Sequence, residues 1–600
     1  MKADSFRISK VFSGGGDIHY QLPHFQREYT WDRPQWQTLL ADAVELHDEM
    51  GPLTKDPPNE SSADVLPPQR ELEHFLGALV VISDGTRHGT IPAFKLVDGQ
   101  QRLTSISLLL CALMRAMEQQ NNRALARRAR KLLVNGDEEG DLFYKLLPTT
   151  KYGDRNAYTA LLRGEPQAPC DSRIPLAFDY FLAEIKARIA AASLDPERFF
   201  QVLTHSFQVV FIDLNRDESP YRIFESLNGK GKPLTQADLV RNYIAMRLPA
   251  GDQEKVFNKD WSKVEGALQE RRLVGRSRLG ELTAFLRHFL AMRTGVLCSE
   301  EHVYARLRDR AEREFGTDAL FAGEVATLAR FASYYERLLR PQVETDPRVR
   351  EALSRLSVLE VSTAFPFLLA ASDAYASNVL TCDQLLGVFA TLENYLVRRV
   401  LAGETTNFLN KLFPSLWAQI DLTDPVASLK IALAGRGYPS DAKIRSVLLT
   451  RSLYDKSELT RNRTALVLDS VNRHLSSGSG GYTVLSGAAT IEHILPQTAS
   501  PDWLDEIGGD DPEGTHRELL HTLGNLTLVT QEWNSSLSNA PFVIKQKKLA
   551  AHALKMNADY FGRDEVIAWD ADAIRARGTF LTDQILAIWP SFAKIGRAHV

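Results

Sequence analysis

The stretch AFKLVDGQQRLTSISLLL, Ala93 to Leu110, decides how the first domain of the chain is read. A short apolar run (Phe94, Leu96, Val97) leads into the polar cluster Asp98-Gly99-Gln100-Gln101-Arg102, and a helical apolar pattern starts at Leu103. A strand that stops at a glycine and turns straight into a helix leaves the first backbone N–H groups without intrahelical partners. The positive end of the helix dipole falls at the same place, so the junction is an anion site. Arg102 lies in the first turn, where a two-pronged guanidinium can grip a phosphate. Asp98, at the strand end, is placed to hold a magnesium ion or orient a water. A plain capped junction with no ligand is the competing reading of the same residues.

Six hundred residues exceed what one core holds, so several domains are expected. An apolar content of 44% and a charged content of 24% are those of a soluble globular protein. The formal net charge of −4 supplies no overall pull toward nucleic acid, so any DNA contact must come from local basic surfaces. The four cysteines (Cys111, Cys170, Cys298, Cys382) are far apart and form no CxxC pair, which argues against a disulfide framework and a cysteine-ligated zinc. MKADSFRISK has no apolar signal core, and no apolar run reaches about 18 residues without a charge. A cytoplasmic protein with no membrane partner is expected.

Outward from the opening stretch, strands are expected at 74–82 and 93–98, and again in QVVFIDL. A helix is expected from Pro34 to Met50, with Trp36, Leu39, Leu40 and Val44 as its apolar stripe. Residues 51–70 carry five prolines and read as a loop. The basic helix over 119–133 is either a phosphate-contacting face or a solvated one. Between Ser219 and Arg247, Asn228, Gly229 and Gly231 mark a turn, Lys230 and Lys232 add charge, and Thr235 caps a helix with Asp238 three residues on. Residues 251–435 repeat apolar positions at helical spacing, and 436–475 are helical and basic at Arg451, Arg461, Arg463 and Arg473. Ser476 to Gly481 reads as a tether. The expected domains are 1–250, 251–435 and 436–594, with 595–600 (IGRAHV) a non-native tail.

Three segments of the first domain carry a family resemblance. They are QLPHFQREYTW (Gln21 to Trp31), DGQQRLT preceded by FLGALVVIS (Phe75 to Ser83), and IFESLNGKGKPLTQADLVRNYI (Ile223 to Ile244). Together they resemble the N-terminal domain of GmrSD-type, modification-dependent (type IV) restriction proteins. The resemblance implies a ParB/sulfiredoxin-like fold that binds or hydrolyses a nucleoside triphosphate. The site it implies consists of Gln26, Arg27, Asp98, Gly99, Gln100, Gln101, Arg102 and Thr104. ENYLVRRVLAGETTNFLNKLF (Glu393 to Phe413) also resembles a family stretch. Its Arg398-Arg399 pair reads either as a contact to DNA or a neighbouring domain, or as a structural ion pair.

The sharper motif lies at 489–550. ATIEHILPQ (Ala489 to Gln497) is strand-like, and LGNLTLVTQEWNSSLSN (Leu523 to Asn539) is a strand running into a helix, followed by Lys545, Lys547 and Lys548. A histidine such as His493 titrates near neutral pH and can deprotonate water. An amide such as Asn525 can hold that imidazole in one tautomer, and oxygen donors such as Glu492 and Asn534 suit one hard cation. A buried histidine with two turn asparagines is the blander reading. The order Glu-His, Asn-Leu, Asn resembles the HNH, or ββα-metal, nuclease finger. That resemblance implies His493, Asn525 and Asn534 in catalysis, Glu492 and Asn534 on Mg2+ (or Mn2+), and Lys545, Lys547 and Lys548 on DNA. His516 and His521, in the intervening loop, are read as non-catalytic. The expected fold class is multidomain, mainly α with α/β parts: a ParB/sulfiredoxin-like N-terminal domain, a helical middle and an HNH C-terminal nuclease. The expected activity is an endonuclease or nickase, dependent on or regulated by nucleoside triphosphate, acting on modified double-stranded DNA in bacterial defence, in a chain that also allows a homo-oligomer. The alternative is a DNA-binding or regulatory protein without nucleotide turnover or with an inactive nuclease.

Overall fold

The structure, a computed structural model, describes residues 2–13, 16–23, 26–50, 72–88, 90–136, 139–214, 235–248, 255–268, 273–274, 277–477 and 489–592. They form two compact units, residues 1–259 with 308–323, and residues 260–307 with 324–600. The molecule is mainly helical, with a mixed sheet in the first unit.

That sheet has six strands in the order β1-β6-β3-β4-β2-β5: β1 (Lys2–Arg7), β2 (His19–Gln21), β3 (His74–Arg87), β4 (Ile91–Asp98), β5 (Leu146–Leu147) and β6 (Phe207–Leu214). β3 pairs antiparallel with β4 and parallel with β6, setting Val80 opposite Asp98 on one side and Ile212 on the other. ALVVI in β3 is a continuous apolar run because both faces of the sheet are covered. Leu79 and Val81 join the main core, while Val80 packs with Val97, Ile212 and Leu214 on the opposite face. The helices of this unit used below are α1 (Arg33–Glu49), α2 (Gln100–Gln119), α3 (Ile174–Ala190) and α4 (Gln236–Arg247). α2 buries nearly every side chain from Leu103 to Met117, as expected of a helix that is apolar all round. Leu239 and Met246 of α4 lie against the second face. α4 opens on the expected capping box: Thr235 Oγ1 accepts from the Asp238 N–H at 3.1 Å and Asp238 Oδ2 from the Thr235 N–H at 3.2 Å. The expected 51–70 loop and the Asn228–Lys232 turn lie outside the described residues, as does the 595–600 tail.

The second unit is helical apart from two small antiparallel pairs, β7 (Leu273–Val274) with β8 (Ser277–Gly280), and β9 (Ala489–His493) with β10 (Leu526–Thr530). Its helices named here are α5 (Cys382–Ala402), α6 (Leu409–Leu416), α7 (Gln531–Leu537), α8 (Phe542–Ala550) and α9 (Ala571–Ile588). The expected boundary at 435/436 falls inside this unit. Arg398 of α5, only 1% exposed, donates to Pro439 O at 2.8 Å, Asp441 Oδ1 at 2.6 Å and Trp589 O at 2.8 Å. Glu393 of the same helix accepts from Trp589 Nε1 at 3.0 Å. A buried guanidinium must find its partners, and these come from the C-terminal segment. Among the described residues no helix is long and apolar enough to cross a membrane.

Candidate functional site

In the first unit the decisive junction forms as the sequence predicts. β4 ends at Asp98, Gly99 takes φ +90°, and α2 starts at Gln100 with no side chain capping it. A Cβ at Gly99 would lie 2.8 Å from Leu79 Cδ1 and 3.0 Å from Ala78 O, so both the conformation and the close approach require glycine.

The polar residues of the motif are divided between two tasks. Gln101 is spent on scaffold: its Oε1 accepts from the N–H groups of Thr30 (2.8 Å) and Trp31 (3.3 Å), and its Nε2 donates to Glu28 O (2.9 Å). Gln26, 3% exposed, donates to Val97 O at 2.9 Å. These two amides, which the family resemblance places in the nucleotide pocket, clip the QREYTW segment onto the β4–α2 junction. Tyr29 of that segment is pinned further, through its N–H to Asp154 Oδ2 (2.6 Å) and its hydroxyl to Ser105 Oγ (2.5 Å). Arg102 donates to Leu76 O at 3.0 Å and lies 3.5 Å from Asp98 Oδ2, so its fork closes on its own strand ends. Arg27 reaches Asp238 Oδ2 at 3.9 Å, joining the first family segment to α4. What stays open is Gln100 Oε1 and Arg27 Nε, both buried and without a hydrogen-bond partner. Beside them are the uncapped amides at the start of α2. Buried polar atoms of a native protein normally have partners, and these two lack them, as does Thr30 Oγ1 of the same segment. Thr104 is buried at 2% exposure.

In the second unit β9 and β10 pair across an insertion that carries two short helices, Pro501–Ile507 and Pro512–Leu519, and α7 follows β10 directly. Leu526 stands opposite His493 and Thr527 opposite Glu492. The LGNL wording has a packing cause: a Cβ on Gly524 would sit 2.0 Å from Ile574 O of α9. Arg577 of α9, fully buried, donates to Gly524 O (2.7 Å) and Leu526 O (2.8 Å), and burial brings its pKa down to about 10. Nothing in the sequence pattern singled out Arg577.

His493 is 4% exposed. Its Nε2 lies 3.0 Å from His521 Nδ1, its Nδ1 lies 3.4 Å from Gln497 Nε2, and the Tyr454 ring meets it edge-on at 4.6 Å. Burial first, then the His521, Lys545 and His516 charges, lowers its pKa to about 3, so in this resting arrangement the ring is neutral and holds an added proton only weakly. Asn525 does not hold this imidazole. Its Oδ1 accepts from Leu495 N (2.7 Å) and Trp569 Nε1 (3.2 Å), and its Nδ2 donates to Leu495 O (3.0 Å) and Leu520 O (2.8 Å). It fixes the chain that leaves β9, while the orienting partners of the ring are His521 and Gln497. His521, expected to be non-catalytic, is thus a direct partner of the ring, a contact that a lone loop histidine does not signal in sequence.

Asn534 of α7 donates to Thr490 Oγ1 at 3.0 Å. Thr490 and Glu492 are two apart on β9 and share a face, so Asn534 and Glu492 come to one side of the hairpin. One carboxylate and one amide are hard oxygen donors that suit magnesium or manganese. Lys545 competes for that carboxylate. Fully buried rather than on the DNA-facing surface, it donates to Glu492 Oε1 at 2.7 Å and to His493 O at 3.0 Å. Burial raises the Glu492 pKa and lowers that of Lys545, and the pairing draws each back toward its charged form. Lys548 donates to Ser536 O at 2.7 Å, and Lys547 is exposed. Among the described residues no three His, Cys, Asp or Glu side chains are grouped to hold a metal.

The first unit thus presents a helix start that no side chain caps, and the second a buried histidine between a two-stranded ladder and a helix. The family model of the GmrSD restriction endonuclease N-terminal domain matches residues 8–245, and that of the GmrSD restriction endonuclease C-terminal domain matches residues 438–584. Between them they cover more than half of the sequence, and the chain belongs to the GmrSD restriction endonuclease family. No curated protein matches the chain.

Proposed function

We propose that the chain is a ββα-metal (HNH) endonuclease or nickase that acts on modified double-stranded DNA and is governed by a nucleoside triphosphate bound in its N-terminal unit. The observation that supports the nuclease reading is geometric: His493 lies at the end of β9 beside His521, with Glu492 and Asn534 brought to one side of the same hairpin. His493 takes the proton of the attacking water at the ring nitrogen that is freed when the long Gln497 contact gives way. His521 holds the ring at its other nitrogen. Asn525 keeps Leu495 and Leu520 fixed, so that the ring sits at one place relative to β10. Glu492 and Asn534 would hold Mg2+ or Mn2+, which supplies charge stabilisation for the leaving oxygen. Engaging the metal requires Glu492 to give up at least part of its contact with Lys545.

The nucleotide reading is supported by Gln100 Oε1, Arg27 Nε and the open amides of α2. A second reading keeps nucleotide binding but removes turnover. It is favoured by the Asp98–Arg102 contact, which occupies the carboxylate that would hold magnesium. Cleavage of modified and unmodified phage DNA, with and without each triphosphate and with EDTA, tests the whole. The expected result is cutting of modified DNA only, abolished by EDTA and restored by magnesium or manganese. Nucleotide-independent cutting with no phosphate release would favour a nuclease without a nucleotide gate, and absence of any cutting would remove the nuclease reading.

A further inference from the structure

The paired arginines of α5 face opposite fates. Arg398 is consumed by the internal bonds described above, whereas Arg399 lines a cavity of about 580 Å3 between the end of α5, α6 and the turn at 435–437. Four charged side chains line it: Arg399, Lys411, Arg436 and a single carboxylate, Glu404. Several arginines of this unit are matched to carboxylates, as in Arg355–Glu393 at 2.7 Å, Arg398–Asp441 at 2.6 Å and Arg473–Glu351 at 2.5 Å, while others, such as Arg577 and Arg463, donate to backbone carbonyls. Arg399 is of the second kind, and the cavity beside it carries three cationic side chains against one carboxylate. Arg399 donates to two backbone carbonyls, Gly437 O and Thr405 O, each at 2.6 Å. Its Nε is buried with no partner, in a residue only 5% exposed. Arg436 donates to the neutral Gln419 Oε1 at 2.6 Å, and Lys411 is exposed with no ion pair among the described residues. The rim carries Phe408, a large apolar ring left 43% exposed.

Excess positive charge around a desolvated guanidinium selects an anion, and phosphate geometry suits arginine. An exposed aromatic ring next to such charge suits a flat base, the pairing that unstacked nucleic acid uses. We propose that this cavity binds one nucleotide, with its phosphate on Lys411 and Arg436, in the field of buried Arg399, and its unstacked base on Phe408. That the nucleotide belongs to a DNA strand, rather than being a free nucleotide, rests on the nuclease reading. The segment Glu393 to Phe413 then has a function beyond packing: α5 and α6 present a pocket that samples one nucleotide of the substrate.

The test uses the full chain carrying His493→Ala, so that DNA survives the measurement, and reads anisotropy of a short labelled single strand and of a duplex. Arg399→Gln risks the fold through its two carbonyl contacts, so the variants are Phe408→Ala and Lys411→Glu, with exposed Lys186→Glu of the other unit as the charge control. Phe408→Ala is expected to weaken single-strand binding about ten-fold. Lys411→Glu is expected to weaken it and to lower the salt slope by about one. Lys186→Glu and the melting temperatures should not move. Wild-type affinity in both pocket variants overturns the proposal, and so does a loss in Lys411→Glu alone, because the base contact would then be absent. Competition with deoxyadenosine monophosphate and triphosphate separates the sources: displacement only by oligonucleotide supports a strand, while displacement by free nucleotide at equal phosphate concentration overturns that assignment. Loss of binding in the pocket variants of a chain whose parent never cuts DNA would remove the nuclease reading and keep the pocket. Normal binding in variants of a chain that does cut would do the reverse.

Discussion

Gln101 in the first unit and Asn525 in the second occupy the centres of their motifs and do the same work in different surroundings. Each uses both ends of an amide to tie a distant backbone segment to a strand–helix junction. The side chains around them differ. Around Gln101, Gln100 Oε1 and Arg27 Nε are buried and unmatched, as if something anionic or hydrogen-bonding were to complete them. Around Asn525 the reactive groups satisfy one another, His493 with His521 and Glu492 with Lys545. The first cluster leaves polar atoms unmatched, and the second matches its groups to one another. A site of the first kind gains stability from its ligand by mass action, whereas one of the second kind must exchange one contact for another.

The comparison breaks most easily at His493. His493→Ala should lower DNA cleavage by about 10²–10⁴-fold, the usual cost of a lost proton acceptor. Phosphate release by the N-terminal unit should persist, and thermal melting should stay close to wild type. Cutting at the wild-type rate by that variant, freed of contaminating nuclease, would exclude His493 as the base. Asn525→Ala comes next, and its signature is different. Four contacts in a fully buried place lose their partner, so roughly 3–5 kcal/mol of stability should go together with activity. An unchanged melt with cleavage lost would return Asn525 to the ring-orienting role that the sequence suggested. Gln101→Ala is its counterpart in the other unit, at roughly 1–3 kcal/mol because its site is only partly buried.

A smaller effect separates ligand contacts from scaffold within the DGQQR run. Gln100→Leu removes an unmatched buried amide at similar volume, so the melt should hold or rise by up to about 1 kcal/mol. Triphosphate affinity, read by calorimetry, should fall. Arg102→Ala should lower both, since it breaks a bond to Leu76 O as well as any phosphate contact. Full affinity in Gln100→Leu would move the nucleotide away from the start of α2.

These contrasts also show what the sequence carried. The β4–Gly99–α2 junction and the strand–strand–helix order were legible because an apolar period of two changes to one of 3.6 across a glycine. Lys545 was misplaced because a cluster of lysines reads as surface, yet a signal was present: Phe542, Lys545 and Leu549 fall at helical spacing on the buried stripe of α8. His521 and Arg577 had no such trace, since a loop histidine and a single helix arginine acquire meaning only from the residues that fold against them. The division of Gln26, Gln100 and Gln101 into clips and open groups was equally hidden, because all three amides look alike until the backbone atoms they reach are known.

The subtlest prediction sets the two units against each other through pH. Asp154 anchors the Tyr29 N–H and the Ser172 hydroxyl, but burial outweighs those bonds and raises its pKa from 3.8 to about 6. Its folded pKa lies above its unfolded one, so the folded state holds a proton that the unfolded state has released. That contribution to stability is present below pH 3.8 and is lost as pH rises to about 6. His493 runs the other way. Its folded pKa of about 3 lies below the ordinary 6.5, so the unfolded state takes the proton first, and stability is lost as pH falls from 6.5 toward 3. Between pH 4 and 6 the two residues therefore tilt their units in opposite directions, each by no more than about 1.4 kcal/mol per pH unit. Other carboxylates titrate in this window, so the quantity to measure is a difference of melts: wild type minus Asp154→Asn, and wild type minus His493→Gln, across that range. Wild type should lose ground to Asp154→Asn as pH rises and to His493→Gln as pH falls. Parallel curves for either pair would mean that burial at that residue does not set its protonation.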